Sequence, residues 1–157
     1  MFFCIQKRLK EKLMEIEWRE DMAVGDPMID QDHQHLIELL NKYQFAVASK
    51  DLELLKNVFA ELHTYTDEHF KREETLQRAI HFKEANSHHN RHQELLNEVV
   101  EIHENLVKGI SGTISLDYIS QLLHDWLIDH VIKEDLKMRP YLQGKPVTDI
   151  KEFKIGE

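Results

Sequence analysis

Apolar residues recur every three or four positions in four long segments of this chain, and residues that break helices fall between the segments. Such spacing gathers the apolar side chains on one face of an α-helix. No segment shows the sustained two-residue alternation of a β-strand, and we find no internal repeat of fixed period. Because the connections are short, the pattern predicts an all-α fold, an antiparallel up-down-up-down four-helix bundle with an N-terminal arm.

The boundaries of the predicted helices follow from residues that start or stop a helix. Asp51 is a favourable N-cap for the second helix, Gly109 closes the third, and Pro140 stops the fourth. We expect Trp18 to anchor the arm that precedes the first helix. The predicted helices cover about residues 30–49, 52–80, 84–108 and 115–139.

The length of 157 residues suits one hydrophobic core and is too short for two substantial ones. The sequence therefore predicts a single domain with two flanking segments. We expect an N-terminal extension over residues 1–15 that could be helical, the bundle over residues 16–140, and a C-terminal tail over residues 141–157.

Composition excludes several kinds of partner and site. Acidic residues outnumber basic ones by 29 to 20, and the basic residues are scattered, so we expect no nucleic-acid partner. The single cysteine, Cys4, rules out an internal disulfide and a thiolate metal cluster, and we expect the protein to be cytoplasmic. The apolar start at residues 1–5 is too short for a signal peptide or for membrane insertion.

Polar residues occupy several positions of the apolar stripes. In the second helix the three-four spacing runs unbroken through Leu52, Leu55, Phe59, Leu62, Thr66, His69, Glu73 and Leu76. His69 and Glu73 are therefore predicted to face the core. Histidines occupy the core-facing stripes of the other three helices as well: His33, His88, His92 and His130.

In an antiparallel bundle the start of one helix is level with the end of the next. The core-facing histidines are therefore all predicted to lie at the same end of the bundle. Burying each imidazole or carboxylate without a partner would cost a few kcal/mol, and a bound metal removes that cost. A hydrogen-bonded core histidine is the alternative for any one of them, but five such residues in four helices favour a metal site. Nitrogen and oxygen ligands without sulfur suit iron, manganese or zinc, and so many ligands fit two ions that share carboxylates.

The other histidines are expected at the surface or at its boundary. His89 is the nearest rival to His88, but a stripe through His89 would bring His103 into the core, which favours His88. The surface group comprises His35, His63, His81, His89, His103 and His124.

The core-facing polar residues lie in four segments: Asp30-Gln31-Asp32-His33-Gln34-His35-Leu36, His69-Phe70-Lys71-Arg72-Glu73-Glu74, the pair His88 and His92, and Trp126-Leu127-Ile128-Asp129-His130-Val131-Ile132-Lys133-Glu134-Asp135. These segments resemble motifs of the hemerythrin family, in particular of its single-domain bacterial members. The resemblance extends over about residues 16–140. It implies two iron ions that cycle between Fe²⁺ and Fe³⁺ and are joined by an oxo or hydroxo bridge.

The resemblance also implies the role of each residue. The ligands would be His88, His92 and His130 for one iron, His33 and His69 for the other, and Glu73 and Asp135 as bridges between them. The iron with two histidines keeps an open position, where the family binds dioxygen reversibly. Candidates for the apolar wall around that position are Phe70, Trp126, Leu127 and Val131.

Asp135 enters this set only through the family motif. It follows His130 by five residues, which is about 140° around an ideal helix, whereas Glu134 has the spacing that an ideal helix favours. If Asp135 faces the centre, the last turn must deform, as in a π-bulge, or the side chain must reach across.

The resemblance implies reversible dioxygen binding, for storage, carriage or sensing, and we expect no enzymatic activity. One alternative is a di-iron redox enzyme, such as an oxidase, a peroxidase or a nitric-oxide-handling protein. The chain contains no Glu-x-x-His motif, which argues against the ferritin-like kind of di-iron enzyme. The other alternative is an oxygen-sensing module with a protein partner, in which residues 6–15 could act as an output element.

Overall fold

The computed structural model describes the backbone of residues 15–109 and 116–143, and the side chains in those ranges except at residues 109, 116–120 and 130. Most of the predicted N-terminal extension and most of the predicted C-terminal tail lie outside these ranges. No described residue lies in a strand. The fold is all-α, a four-helix bundle, as predicted. Its long helices are α1 (Pro27–Ser49), α2 (Leu52–Ala79), α3 (Ala85–Gly109) and α4 (Leu116–Asp125).

α1 begins three residues before its predicted start because Asp26 caps it. The Asp26 carboxylate accepts hydrogen bonds from the backbone N–H groups of Met28 and Ile29, both at 3.0 Å, and Pro27 occupies the first turn, where its missing N–H is not needed. At the other end, Lys50 adopts a left-handed conformation with φ 54° and closes the helix.

α2 begins after the N-cap that the sequence predicts. The Asp51 carboxylate accepts a hydrogen bond from the backbone N–H of Leu54 at 3.0 Å. The stripe of this helix is buried from Leu55 onward, except that Phe59 is half-buried. The prediction that Leu52 joins the core was wrong: it is 38% exposed, and the buried part of the stripe begins at Leu55.

α4 continues directly into a series of shorter helical turns, and we call the whole run the fourth helix. The series comprises a π-helical segment (Trp126–Ile132), an α-helical turn (Lys133–Asp135), a 3₁₀ turn (Leu136–Met138) and a last α-helical turn (Arg139–Leu142). The prediction that Pro140 ends the helix was wrong. Pro140 lies in the first turn of the last segment, where proline is tolerated.

The N-terminal arm is held by more residues than Trp18. Trp18 does pack against the core, but it is only half-buried. Ile16, Met22 and Val24 are at most 6% exposed, and the Asn41 side chain pairs with the backbone of Ile16 through two hydrogen bonds of 2.9 Å.

Buried apolar residues form two clusters. The larger runs through the bundle and includes Leu36, Leu62, Leu95 and Trp126. The smaller consists of residues that flank the core-facing histidines along the chain. It is formed by Val24, Ile29, Leu76, Ile80, Phe82, Met138 and Leu142. Within the described ranges, no helix has the length and hydropathy needed to cross a bilayer.

Candidate metal centre

Six of the seven predicted ligands have described side chains, and the bundle brings all six together. None of the six is more than 5% exposed. α1 contributes His33 near its start, and α2 contributes His69 and Glu73 near its end. α3 contributes His88 and His92 near its start, and the fourth helix contributes Asp135.

The six side chains form two groups that share both carboxylates. In the first group, one ligand atom from each member lies within 4.8 Å of the others, and the same holds for the second group. The first group comprises His33, His69, Glu73 and Asp135. The second group comprises His88, His92, Glu73 and Asp135.

Asp135 directs one carboxylate oxygen toward each group. Its Oδ2 atom lies 2.7 Å from Nε2 of His33 and 3.4 Å from Nε2 of His69, whereas its Oδ1 atom lies 2.9 Å from Nε2 of His88.

The two carboxylate oxygens of Glu73 also face different groups. Oε2 lies 3.4 Å from Nε2 of His69, and Oε1 lies 2.8 Å from Nε2 of His88. A carboxylate arranged like this can bridge two metal ions.

Unsatisfied atoms at the centre fit a bound metal. Oε2 of Glu73 and Nε2 of His92 are buried and make no hydrogen bond with any described residue. Leaving such atoms unpaired costs about 1–3 kcal/mol each, and more for a charged group. Imidazole nitrogens and carboxylate oxygens are ligands for iron, manganese or zinc. The donor set therefore fits a pair of such ions.

The fourth helix carries the deformation that the spacing of Asp135 requires. In the π-helical segment the backbone N–H of Lys133 bonds to the carbonyl of Ile128, five residues earlier, so a five-residue step returns to the same face. Asp135 is buried, whereas Glu134 pairs with Lys137 at 2.8 Å on the surface. The predicted ligand His130 lies in this segment, but its side chain is outside the described residues.

Buried contacts between imidazoles and carboxylates shift several pKa values. Burial lowers the pKa of His69, but hydrogen bonds to Asp135 and Asp32 outweigh it and raise that pKa from 6.5 to about 9. For His88, contacts with Asp135 and Glu73 outweigh burial and raise the pKa to about 10. Burial raises the pKa of Asp135, but its histidine contacts hold that pKa well below 3.8. A cation entering the centre would replace these protons.

Three polar side chains that were not predicted as part of the site make hydrogen-bond contacts with the ligands. The Gln77 amide donates to Oε1 of Glu73 at 2.9 Å. Nδ1 of His92 lies 2.8 Å from Oε1 of Glu74, and Nδ1 of His69 lies 3.1 Å from Oδ2 of Asp32. Helical spacing gave a signal only for Gln77, which is four residues after Glu73 on the same helix face.

The four predicted wall residues are all buried in the larger apolar cluster. The Phe70 ring stacks on the His92 ring, with ring centroids 3.9 Å apart and an angle of 4° between the planes. The indole N–H of Trp126 donates to the carbonyl of Leu95 at 3.1 Å. The remaining two, Leu127 and Val131, are at most 1% exposed.

The histidines predicted at the surface do lie there. His81 and His89 are exposed, and the other four members of that group are half-buried. His88 is 5% exposed, so the stripe argument chose the correct one of the two neighbouring histidines for the interior.

Fold and site together define a metal-binding four-helix bundle. The chain matches the model of the family described as "Hemerythrin HHE cation binding domain" over residues 24–142, and it belongs to the hemerythrin family.

Known relatives align with most of this chain. A bacteriohemerythrin from Pseudomonas aeruginosa is 29% identical over 118 residues, which are 75% of this chain and 75% of the relative. A bacteriohemerythrin from Clostridium acetobutylicum is 26% identical over 133 residues, which cover 75% of this chain and 94% of the relative. A hemerythrin-like protein from Naegleria gruberi is 24% identical over 125 residues, covering 80% of this chain and 92% of the relative.

Proposed function

We propose that this chain binds two non-haem iron ions bridged by carboxylates and, with them, binds dioxygen reversibly for storage, carriage or sensing. The observation that carries the proposal is that two buried ligand groups share Glu73 and Asp135, each carboxylate directing one oxygen to each group. Membership of the hemerythrin family and the bacteriohemerythrin relatives favour iron and dioxygen over other metals and ligands.

Bound at this centre, a pair of iron ions would supply reversible electron transfer to dioxygen, and the residues of the chain would hold and shield the pair. The two shared carboxylates bring negative charge to the buried positions, which offsets part of the metal charge. Phe82 of the smaller apolar cluster contacts the His88 ring, with centroids 5.9 Å apart, and Phe70 of the larger cluster stacks on the His92 ring. This enclosure keeps water and bulky reactants away, so a small apolar molecule such as dioxygen is favoured.

We also infer that the protein is a binding protein rather than an enzyme and that it is cytoplasmic. Support for the second inference is the single cysteine, Cys4, which leaves the chain without an internal disulfide. The proposal leaves room for a protein partner if the role is sensing.

The test is to load the oxygen-free protein with ferrous iron, count metal per chain, and record visible absorption through cycles of air and argon. Two irons per chain and absorption that appears in air and disappears under argon are the expected result. Irreversible conversion to a ferric form would overturn reversible binding in favour of a redox enzyme. Failure to bind two irons would overturn the proposal as a whole.

A further inference from the structure

Asp32 of α1 is a buried carboxylate that belongs to neither ligand group, yet three side chains of α2 converge on it. The Tyr65 hydroxyl donates to it at 2.8 Å, and the Arg72 guanidinium donates at 2.8 and 3.0 Å. Nδ1 of His69 is the third contact. Burial raises the pKa of Asp32, but these hydrogen bonds outweigh it and hold that pKa well below its usual range.

The Asp32 carboxylate, which Arg72 contacts at two points, determines how His69 faces the centre. A carboxylate can only accept hydrogen bonds, so Nδ1 of His69 must carry the hydrogen between them. The other ring nitrogen, Nε2, then points at the shared carboxylates, 3.4 Å from Oδ2 of Asp135. Because Arg72 and Tyr65 hold Asp32 in turn, the orientation of the His69 ring is fixed by a network that joins α1 to α2.

In the second group a carboxylate also contacts a ligand histidine, but it is shared with a histidine outside the group. Glu74 contacts Nδ1 of His92 at 2.8 Å, but the same oxygen lies 2.9 Å from Nδ1 of the exposed His89. Glu74 also lines a surface groove of about 430 Å³ between α2 and α3. In the first group, Nδ1 of His33 makes no hydrogen bond with a described residue, so among the described residues Asp32 provides the one contact of this kind.

We propose that Asp32 is the positioning residue for the metal position of His33 and His69, and that the position of His88 and His92 does not depend on it. The inference rests on the proposed function because it requires two bound metal ions. Loss of a carboxylate that orients a metal-bound histidine weakens metal binding about 10–100-fold. Asp32→Asn should therefore weaken one metal position by about that factor and spare the other.

The experiment is a titration of the oxygen-free, metal-free full chain with Co²⁺, followed by visible absorption and resolved into two binding steps. The step that disappears in His33→Ala belongs to the position of His33 and His69. Asp32→Asn is compared with Glu74→Gln, the corresponding variant of the second group, which should weaken the other binding step by a smaller factor. The matched control is Asp67→Asn, which removes a carboxylate that pairs with Lys71 on the surface of α2.

Selective loss at one step in Asp32→Asn, with the control unchanged, supports the inference. Equal weakening of both steps would assign Asp32 a purely structural role and overturn it, as would two unchanged steps. If Asp32→Asn does not fold, Arg72→Lys takes its place, because lysine keeps the charge but loses the two-point contact. A wild-type chain that binds fewer than two Co²⁺ ions would instead count against the proposed function.

Discussion

The carboxylate of Asp135 lies 2.7 Å from the ring nitrogen Nε2 of His33, although 102 residues separate the two. The same carboxylate reaches His88 through its other oxygen. One side chain from the fourth helix thus contacts candidate ligands from α1 and α3, and it belongs to both ligand groups.

We therefore expect Asp135→Asn to abolish binding of both metal ions rather than one. An amide offers one weak oxygen ligand and cannot supply two anionic ones. Metal content per chain after loading and desalting measures the effect, with Glu134→Gln as the control because that neighbour pairs with Lys137 at the surface. Retention of one full metal equivalent in Asp135→Asn would show that the carboxylate does not bridge.

Replacing a histidine inside the centre should differ sharply from replacing one outside it. His92 is 1% exposed and its Nε2 atom faces the ligand group, whereas His124 is half-buried and belongs to neither group. We expect His92→Ala to bind at most one iron per chain and His124→Ala to bind as much as the wild type. Equal iron content in the two variants would mean that the ligand assignment is wrong.

Metal affinity should fall as the pH falls. In the metal-free protein the pKa values of His69 and His88 are raised from 6.5 to about 9 and about 10, so both carry protons at neutral pH and a metal ion must displace them. Each displaced proton lowers the apparent affinity about tenfold per pH unit below its pKa. Iron release below about pH 6 is the expected outcome, measured as bound iron after equilibration. Full iron content at about pH 4.5 would contradict it.

The metal-free protein should become less stable to unfolding as the pH rises. This pH dependence is opposite to that of metal affinity, which increases with pH. A histidine whose pKa is raised by folding stabilises the folded state fully below its unfolded pKa of about 6.5, and the contribution disappears as pH rises through the folded value. For His69 and His88 that interval ends at about 9 and about 10. Thermal unfolding of the chelator-treated chain between pH 7 and 10.5 is the measurement. A melting temperature that stays level across this range would rule out the protonated cluster.

Helical periodicity was sufficient to predict which residues of a regular helix face the core. His69 and Glu73 continue an apolar stripe at three-four spacing, and they are buried where the stripe places them. Asp135 could not be found in this way because a five-residue step is not helical, and only the family motif pointed to it. Its position required the π-helical segment.

Asp32 was missed for a different reason. Its partners Tyr65 and Arg72 lie 33 and 40 residues away on another helix, and contacts across helices leave no local spacing signal. Pro140 misled the prediction because a 3₁₀ turn comes before it and lets a new helical turn begin. Helix ends depend on such local choices more than the interiors of helices do.

Phe70 offers a test of the apolar wall because the chain contains a matched pair of stacked rings. The Phe70 ring lies on that of His92 at 3.9 Å and 4°, and Phe59 lies on His103 at 3.7 Å and 4° outside the ligand groups.

In Phe70→Leu the His92 ring loses its planar cover, so water gains access to the centre. We expect faster irreversible oxidation of the iron-loaded protein in air, by about tenfold if the barrier falls by about 1.4 kcal/mol. The decay of the oxygen-dependent absorption gives the rate, and Phe59→Leu should decay as the wild type does. Equal acceleration in both variants would point to general loosening of the bundle, whereas no change in Phe70→Leu would remove Phe70 from the wall.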